Sequence, residues 1–212
     1  MRGLFDMDRP VWKWLGKLPE MIGLSLCWYV CCIPLITFIP ACCALYDAAS
    51  RNLAADQKGC FRRFFRTFVK ELKQGIPLSI VWLTILVISV VGLLGFSPEQ
   101  SSSLSTVFVA IYTISIAFTI AYLGWLIPLQ SRYSNSFVAL HINALRFFIG
   151  RLWGSIGIFV ITVGIAVIST FHFYTIPLLA IAPCLIALLH TIPVERGFRA
   201  AFPEHYETPE EE

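Results

Sequence analysis

The residues in this sequence best suited to metal or redox chemistry are its seven cysteines and four histidines. Cys27 and Cys31 lie four apart, on one face of any helix that carries them, and Cys42-Cys43 is a vicinal pair. Five of the seven thiols sit in or beside one apolar stretch, while Cys60 and Cys184 are far along the chain. Cysteine in an apolar helix behaves as a small hydrophobe, and this distribution is not that of a secreted disulfide framework. His141, His172, His190 and His205 are too scattered to form a metal site by spacing. No Gly-x-Ser-x-Gly elbow, phosphate loop or His-Glu-x-x-His motif occurs. The expectation is a protein that is not an enzyme and that carries no catalytic residues, cofactor or metal.

The strongest local pattern runs from Gly59 to Gly75. At helical periodicity Phe61, Phe64, Phe65, Phe68 and Leu72 form one stripe, opposite Arg62, Arg63, Arg66, Lys70 and Lys73. Aromatic rings beside cations suit either the headgroup layer of an anionic membrane or a docking helix for a cytoplasmic partner. A second segment, 137–148, is less charged; it places Phe137, Leu140, His141, Ala144 and Phe148 together and is expected to pack on the bundle. Thr37, Gln130 and Arg132 are the candidates for the mouth of a polar path. Well inside the later apolar stretches the only ionisable side chain is His190, which disfavours proton-coupled transport.

These features must be held by membrane-embedded helices. Hydrophobic residues make up 57% of the 212, charged residues 14%, and the mean hydropathy is +0.74, so too little polar surface exists to face water. The formal charge of +3 marks no nucleic-acid patch. The expected fold is an all-α polytopic transmembrane bundle of about five spans, with cytoplasmic amphipathic interfacial helices. Residues 1–203 form a single transmembrane domain, with spans near 21–46, 76–96, 104–129, 152–171 and 174–193, and 204–212 form an acidic, solvated tail. Residues 8–18 read either as a short surface helix or as the entry turn of the first span. An odd number of spans separates the termini. Twelve basic residues then fall on one side and Arg2, Arg9, Lys13 and Lys17 on the other, which predicts an outside N-terminus and a cytoplasmic C-terminus. Ile39-Pro40, Ile127-Pro128 and Ile192-Pro193 close three spans, and the first two are followed by a tyrosine, an aromatic-basic helix and a new span, a loose internal repeat.

Four pieces of the sequence occur in a familiar order. They are Phe5-Asp6-Met7-Asp8-Arg9-Pro10-Val11-Trp12; Cys31-Cys32-Ile33-Pro34-Leu35-Ile36-Thr37 with Ala44-Leu45-Tyr46; the 61–73 helix; and Pro128-Leu129-Gln130-Ser131-Arg132-Tyr133. Together they resemble the YesL family, also called domain of unknown function 624 (DUF624), from about Phe5 to Phe202. The chain departs from that pattern at Ser25, where an asparagine-containing stretch is expected, and at Phe38-Ile39, where a glycine is common. The resemblance implies a multi-pass protein of the bacterial plasma membrane (cell membrane) associated with carbohydrate uptake or polysaccharide utilisation genes. It transfers a context and no mechanism.

The resulting expectation is a non-enzymatic accessory component of carbohydrate uptake. Phe61, Phe64, Phe65 and Phe68 anchor it, and Arg62, Arg63, Arg66 and Lys70 meet anionic lipid headgroups or an acidic surface on a partner. The expected protein partner is a carbohydrate ABC transporter, or a second copy of the chain, and no nucleic acid. The alternative is a transporter or permease subunit with its own small-molecule path. Asp47-Ala48-Ala49 lacks the downstream glycine of a permease coupling loop, which counts against that alternative.

Overall fold

A computed structural model describes residues 10–53, 58–95, 103–133, 136–171 and 176–201. The acidic tail, His172, His205 and the start of the N-terminal signature lie outside these residues. Every regular element among them is helical: α1 (Pro10–Cys32), α2 (Phe38–Ala48), α3 (Cys60–Leu94), α4 (Ser103–Arg132), α5 (Phe137–Gly150), α6 (Leu152–Phe171) and α7 (Ile176–Ala201). A 3-10 turn at Leu35–Thr37 precedes α2, and a π-helical turn at Ala49–Leu53 follows it. The all-helical membrane bundle expected from the sequence is thus the observed fold. Four helices are long and apolar enough to cross a bilayer, covering Cys60–Leu94, Ser105–Arg132, Leu152–Ser169 and Ala180–Arg199.

The expected first span, 21–46, is instead a helical hairpin. Pro34 has an extended backbone, with φ −80° and ψ 97°, and cannot donate into a helix, so α1 stops at Cys32. The Thr37 hydroxyl bonds back to the carbonyls of Cys31 and Pro34 and fastens the reversal. Two contacts fix the direction of return: Trp28 Nε1 lies 3.4 Å from Cys42 Sγ, and Lys17 Nζ donates to the Leu53 carbonyl at 2.8 Å. Both pairs are centred on Leu35, so α2 runs antiparallel to α1 and ends beside its beginning. Residues 10–18 of the segment read as a surface helix or an entry turn are continuous with the rest of α1.

The remaining helices continue the alternation. α2 and α3 are antiparallel, joined by Ile39 N–H to Ser79 Oγ at 2.9 Å and Thr67 Oγ1 to Asp47 Oδ2 at 2.8 Å. Their closest crossing is at Gly75, where a Cβ would lie 2.5 Å from Pro40 Cγ. Between α3 and α4, Ser89 Oγ meets Ser115 Oγ at 2.9 Å and Trp82 packs on Tyr122 with ring centroids 4.7 Å apart. Thr162 of α6 meets His190 of α7 at 3.0 Å, so His190 is held by a neighbouring helix. The expected interfacial helix 61–73 and the following span are one 35-residue helix, about 52 Å long and so longer than a bilayer core of about 30 Å. α5 caps the α3–α4 pair. Ser136 Oγ accepts the Ala139 N–H at its start, and Leu140 and Ala144 are fully buried.

Candidate functional site

Helical spacing brings Cys60, Phe64, Thr67 and Glu71 to the inward ridge of α3, and all four are buried. The expected stripe of Phe61, Phe64, Phe65, Phe68 and Leu72 is divided: Phe64 is fully buried, Phe68 and Leu72 are partly buried, and Phe61 and Phe65 are exposed. Phe64 fills the hydrophobic part, clustered with Met21, Leu24, Leu45 and Leu188 and stacked on Phe68 at 6.3 Å. Thr67 and Glu71 supply polar atoms to a cluster drawn from four helices.

Asp47 of α2 accepts the Thr67 hydroxyl on one oxygen and pairs with Arg51 Nε at 3.0 Å on the other. One turn along α3, Glu71 accepts from Gln130 Nε2 at 3.2 Å and pairs with Lys70 Nζ at 3.3 Å. Two residues beyond Gln130, Arg132 pairs with Glu195 of α7. Its guanidinium also sits 5.3 Å from the Phe198 ring centroid and 5.8 Å from that of Tyr46. Asp47, Glu71 and Gln130 are 7%, 5% and 2% exposed, so each needs these partners to be buried at all. The cluster therefore ties together the ends of α2, α4 and α7 and the middle of the cation-rich third of α3. No three His, Cys, Asp or Glu among the described residues are placed to hold a metal ion.

Three of the four pieces quoted above for the family resemblance contribute here: Tyr46 comes from the second, Thr67 and Glu71 from the 61–73 helix, and Gln130 and Arg132 from the segment that starts at Pro128. Residues 21–93 match the family model described as "Protein of unknown function, DUF624". The resemblance to DUF624 is a finding over that stretch. No curated protein and no solved structure matches the chain.

The DUF624 stretch comprises most of α1, all of α2 and nearly all of α3, and it supplies Asp47, Thr67 and Glu71 to the cluster. Of the other expected site residues, Phe64 is fully buried and Phe68 and Arg63 are partly buried, while Phe61, Phe65, Arg62, Arg66 and Lys70 are exposed. The exposed face of α3 is therefore mixed, with Phe61, Phe65 and Val69 interleaved among cations. The proposed trio of path residues does not assemble. Gln130 and Arg132 are held in the buried cluster, whereas Thr37 lies at the hairpin tip, about 15 Å along α2 from Asp47. Asp47, Thr67, Glu71 and Glu195 went unrecognised in the sequence. The available signal was Glu71, the one acidic residue among the cations of 61–73.

Proposed function

We propose that this chain is a non-enzymatic accessory protein of the bacterial plasma membrane, whose α3 presents an aromatic-basic face to anionic headgroups at the cytoplasmic surface. The observation that carries the reading is the division of labour on α3. Its acid and Phe64 face inward, while Arg62, Arg66, Lys70, Lys73 and Phe65 face out, and Phe61, partly exposed, lays its ring against Gly23 of α1. Exposed rings among cations are suited to the headgroup layer, where the ring enters the apolar boundary and the cation stays with phosphate. Replacing Arg62, Arg63, Arg66 and Lys70 by Glu is expected to abolish the preference for anionic over neutral lipid in native mass spectrometry. An unchanged preference refutes the reading.

The hairpin supports a different orientation from that of five spans. Because α1 and α2 fold back, the chain reverses at 33–37, 95–103 and 171–176, and none of these segments contains Lys or Arg. The 14 Lys and Arg among the described residues then lie toward the other side or within the helices leading to it, including Lys13 and Lys17, which five spans would have translocated. We infer from the positive-inside rule that this basic side, and with it both termini, is cytoplasmic. Green fluorescent protein fused to either terminus should fluoresce; a dark N-terminal fusion beside a bright C-terminal one would restore the outside N-terminus.

The carbohydrate-uptake context comes from the family resemblance, and crosslinking followed by purification from cells grown on several carbon sources tests it. Capture of sugar-importer subunits supports it; recovery of self-crosslinks alone favours an independent oligomeric transporter. The permease alternative is disfavoured because Asp47, Ala48 and Ala49 are buried within the chain and offer no exposed coupling surface.

A further inference from the structure

We propose that the acidic segment 202–212 docks on the basic outer face of α3, so that the chain itself competes with anionic lipid for that face. This deepens the headgroup reading above and uses the same exposed cations. Three observations carry it. First, charge: residues 202–212 contain Glu204, Glu207, Glu210, Glu211 and Glu212 and no Lys or Arg, whereas the face bears Arg62, Arg63, Arg66, Lys70 and Lys73. The sole acid of that helical segment, Glu71, is buried on the opposite side. Among the described residues, Arg62, Arg63, Arg66 and Lys73 make no ion pair.

Second, position: α7 reaches its end at Ala201 beside the end of α4, with the Phe198 and Tyr133 rings 6.0 Å apart and Glu195 paired to Arg132. Two residues before Arg132, Gln130 holds Glu71, so α7 delivers the segment to the end of the bundle where the cations of α3 are displayed. Third, length: eleven extended residues reach about 36–40 Å, against about 17 Å for the stripe from Arg62 to Lys73 along the helix axis. Each exposed pair is weak and screened by salt, so the contact is a reversible cover and anionic headgroups can displace it.

The test is zero-length carbodiimide crosslinking of the full chain in nanodiscs, with linked peptides identified by mass spectrometry. In neutral phosphatidylcholine at low salt, Glu residues of 202–212 should link to Lys70 or Lys73. The links should disappear at about 1 M salt, where the Debye length is about 3 Å, and in the Arg62→Glu/Arg63→Glu/Arg66→Glu variant. They should also fall severalfold when phosphatidylglycerol is included. Absence of these links in neutral discs, or links confined to Lys13, Lys17 or Lys58, overturns the proposal. Links that form equally in neutral and anionic discs keep the docking and remove the headgroup reading. Loss of anionic-lipid preference in the four-residue Glu variant, with no tail link in either disc, keeps the headgroup reading and removes the docking.

Discussion

Replacing Arg132 by alanine removes the cation that allows Glu195 to sit in the bundle, with side-chain exposures of 14% and 28%. Breaking a fully buried pair costs about 3–5 kcal/mol, and partial exposure of Glu195 moves the expectation to about 2–3 kcal/mol. Loss of the guanidinium from above Phe198 and Tyr46 adds about 0.5–1 kcal/mol for each ring contact. Arg132→Ala should therefore destabilise by about 4 kcal/mol, nearly a thousandfold in the unfolding equilibrium at about 1.4 kcal/mol per decade. Glu195→Ala should cost about 2 kcal/mol, since Arg132 retains both rings. The double variant should cost less than the sum of the two by about 1.5 kcal/mol. Equilibrium unfolding in mixed micelles of rising SDS fraction, followed by tryptophan fluorescence, measures all three, with the exposed Arg146→Ala as the control. A coupling below about 0.5 kcal/mol, the usual error of additivity, refutes the pairing and with it the claim that α4 and α7 are tied at this end.

Gly75→Val should prevent α2 from seating on α3, because even a Cβ falls 2.5 Å from Pro40 Cγ; loss of the monodisperse folded protein is the readout, against normal folding of Gly157→Ala, whose site is open. Trp125→Phe loses both the N–H bond to Ser155 Oγ at 2.9 Å and the benzo-ring carbons seated against Gly154 and Gly197, so it should cost more in the same unfolding assay than the about 1 kcal/mol of the hydrogen bond alone. Gly59→Ala should be destabilising by about 1 kcal/mol in that assay although the space around it is open, since φ of +94° at the start of α3 suits glycine alone. Thr67→Val leaves one Asp47 oxygen without its hydroxyl donor and should cost about 1–3 kcal/mol, whereas Thr113→Val, whose hydroxyl bonds its own helix at an exposed position, should change little.

Composition and periodicity made the membrane bundle legible, because long apolar helices have lipid as their only compatible solvent. The later spans could be read for the same reason: each is a continuous apolar run bounded by polar turns. The hairpin at 33–37 could not be read with the same certainty. A run from Met21 to Tyr46 has the composition of one span whether or not it folds back, and proline inside membrane helices is often tolerated. What decided it was contact between distant residues, Lys17 with Leu53 and Trp28 with Cys42.

The basic helix shows the same division. Its cations are legible as an exposed face because charge seeks water or headgroups. Which side turns inward is set by packing against the neighbouring helices, which buries Phe64, Thr67 and Glu71 and leaves Phe65 exposed. The sequence by itself determined the solvent of this protein, its helical class and the surplus of positive charge along α3, since these follow from local composition. Only the tertiary structure decided that Asp47, Glu71, Gln130, Arg132 and Glu195 share one buried cluster, because a polar group's partner across helices is set by packing geometry and leaves no mark in local spacing.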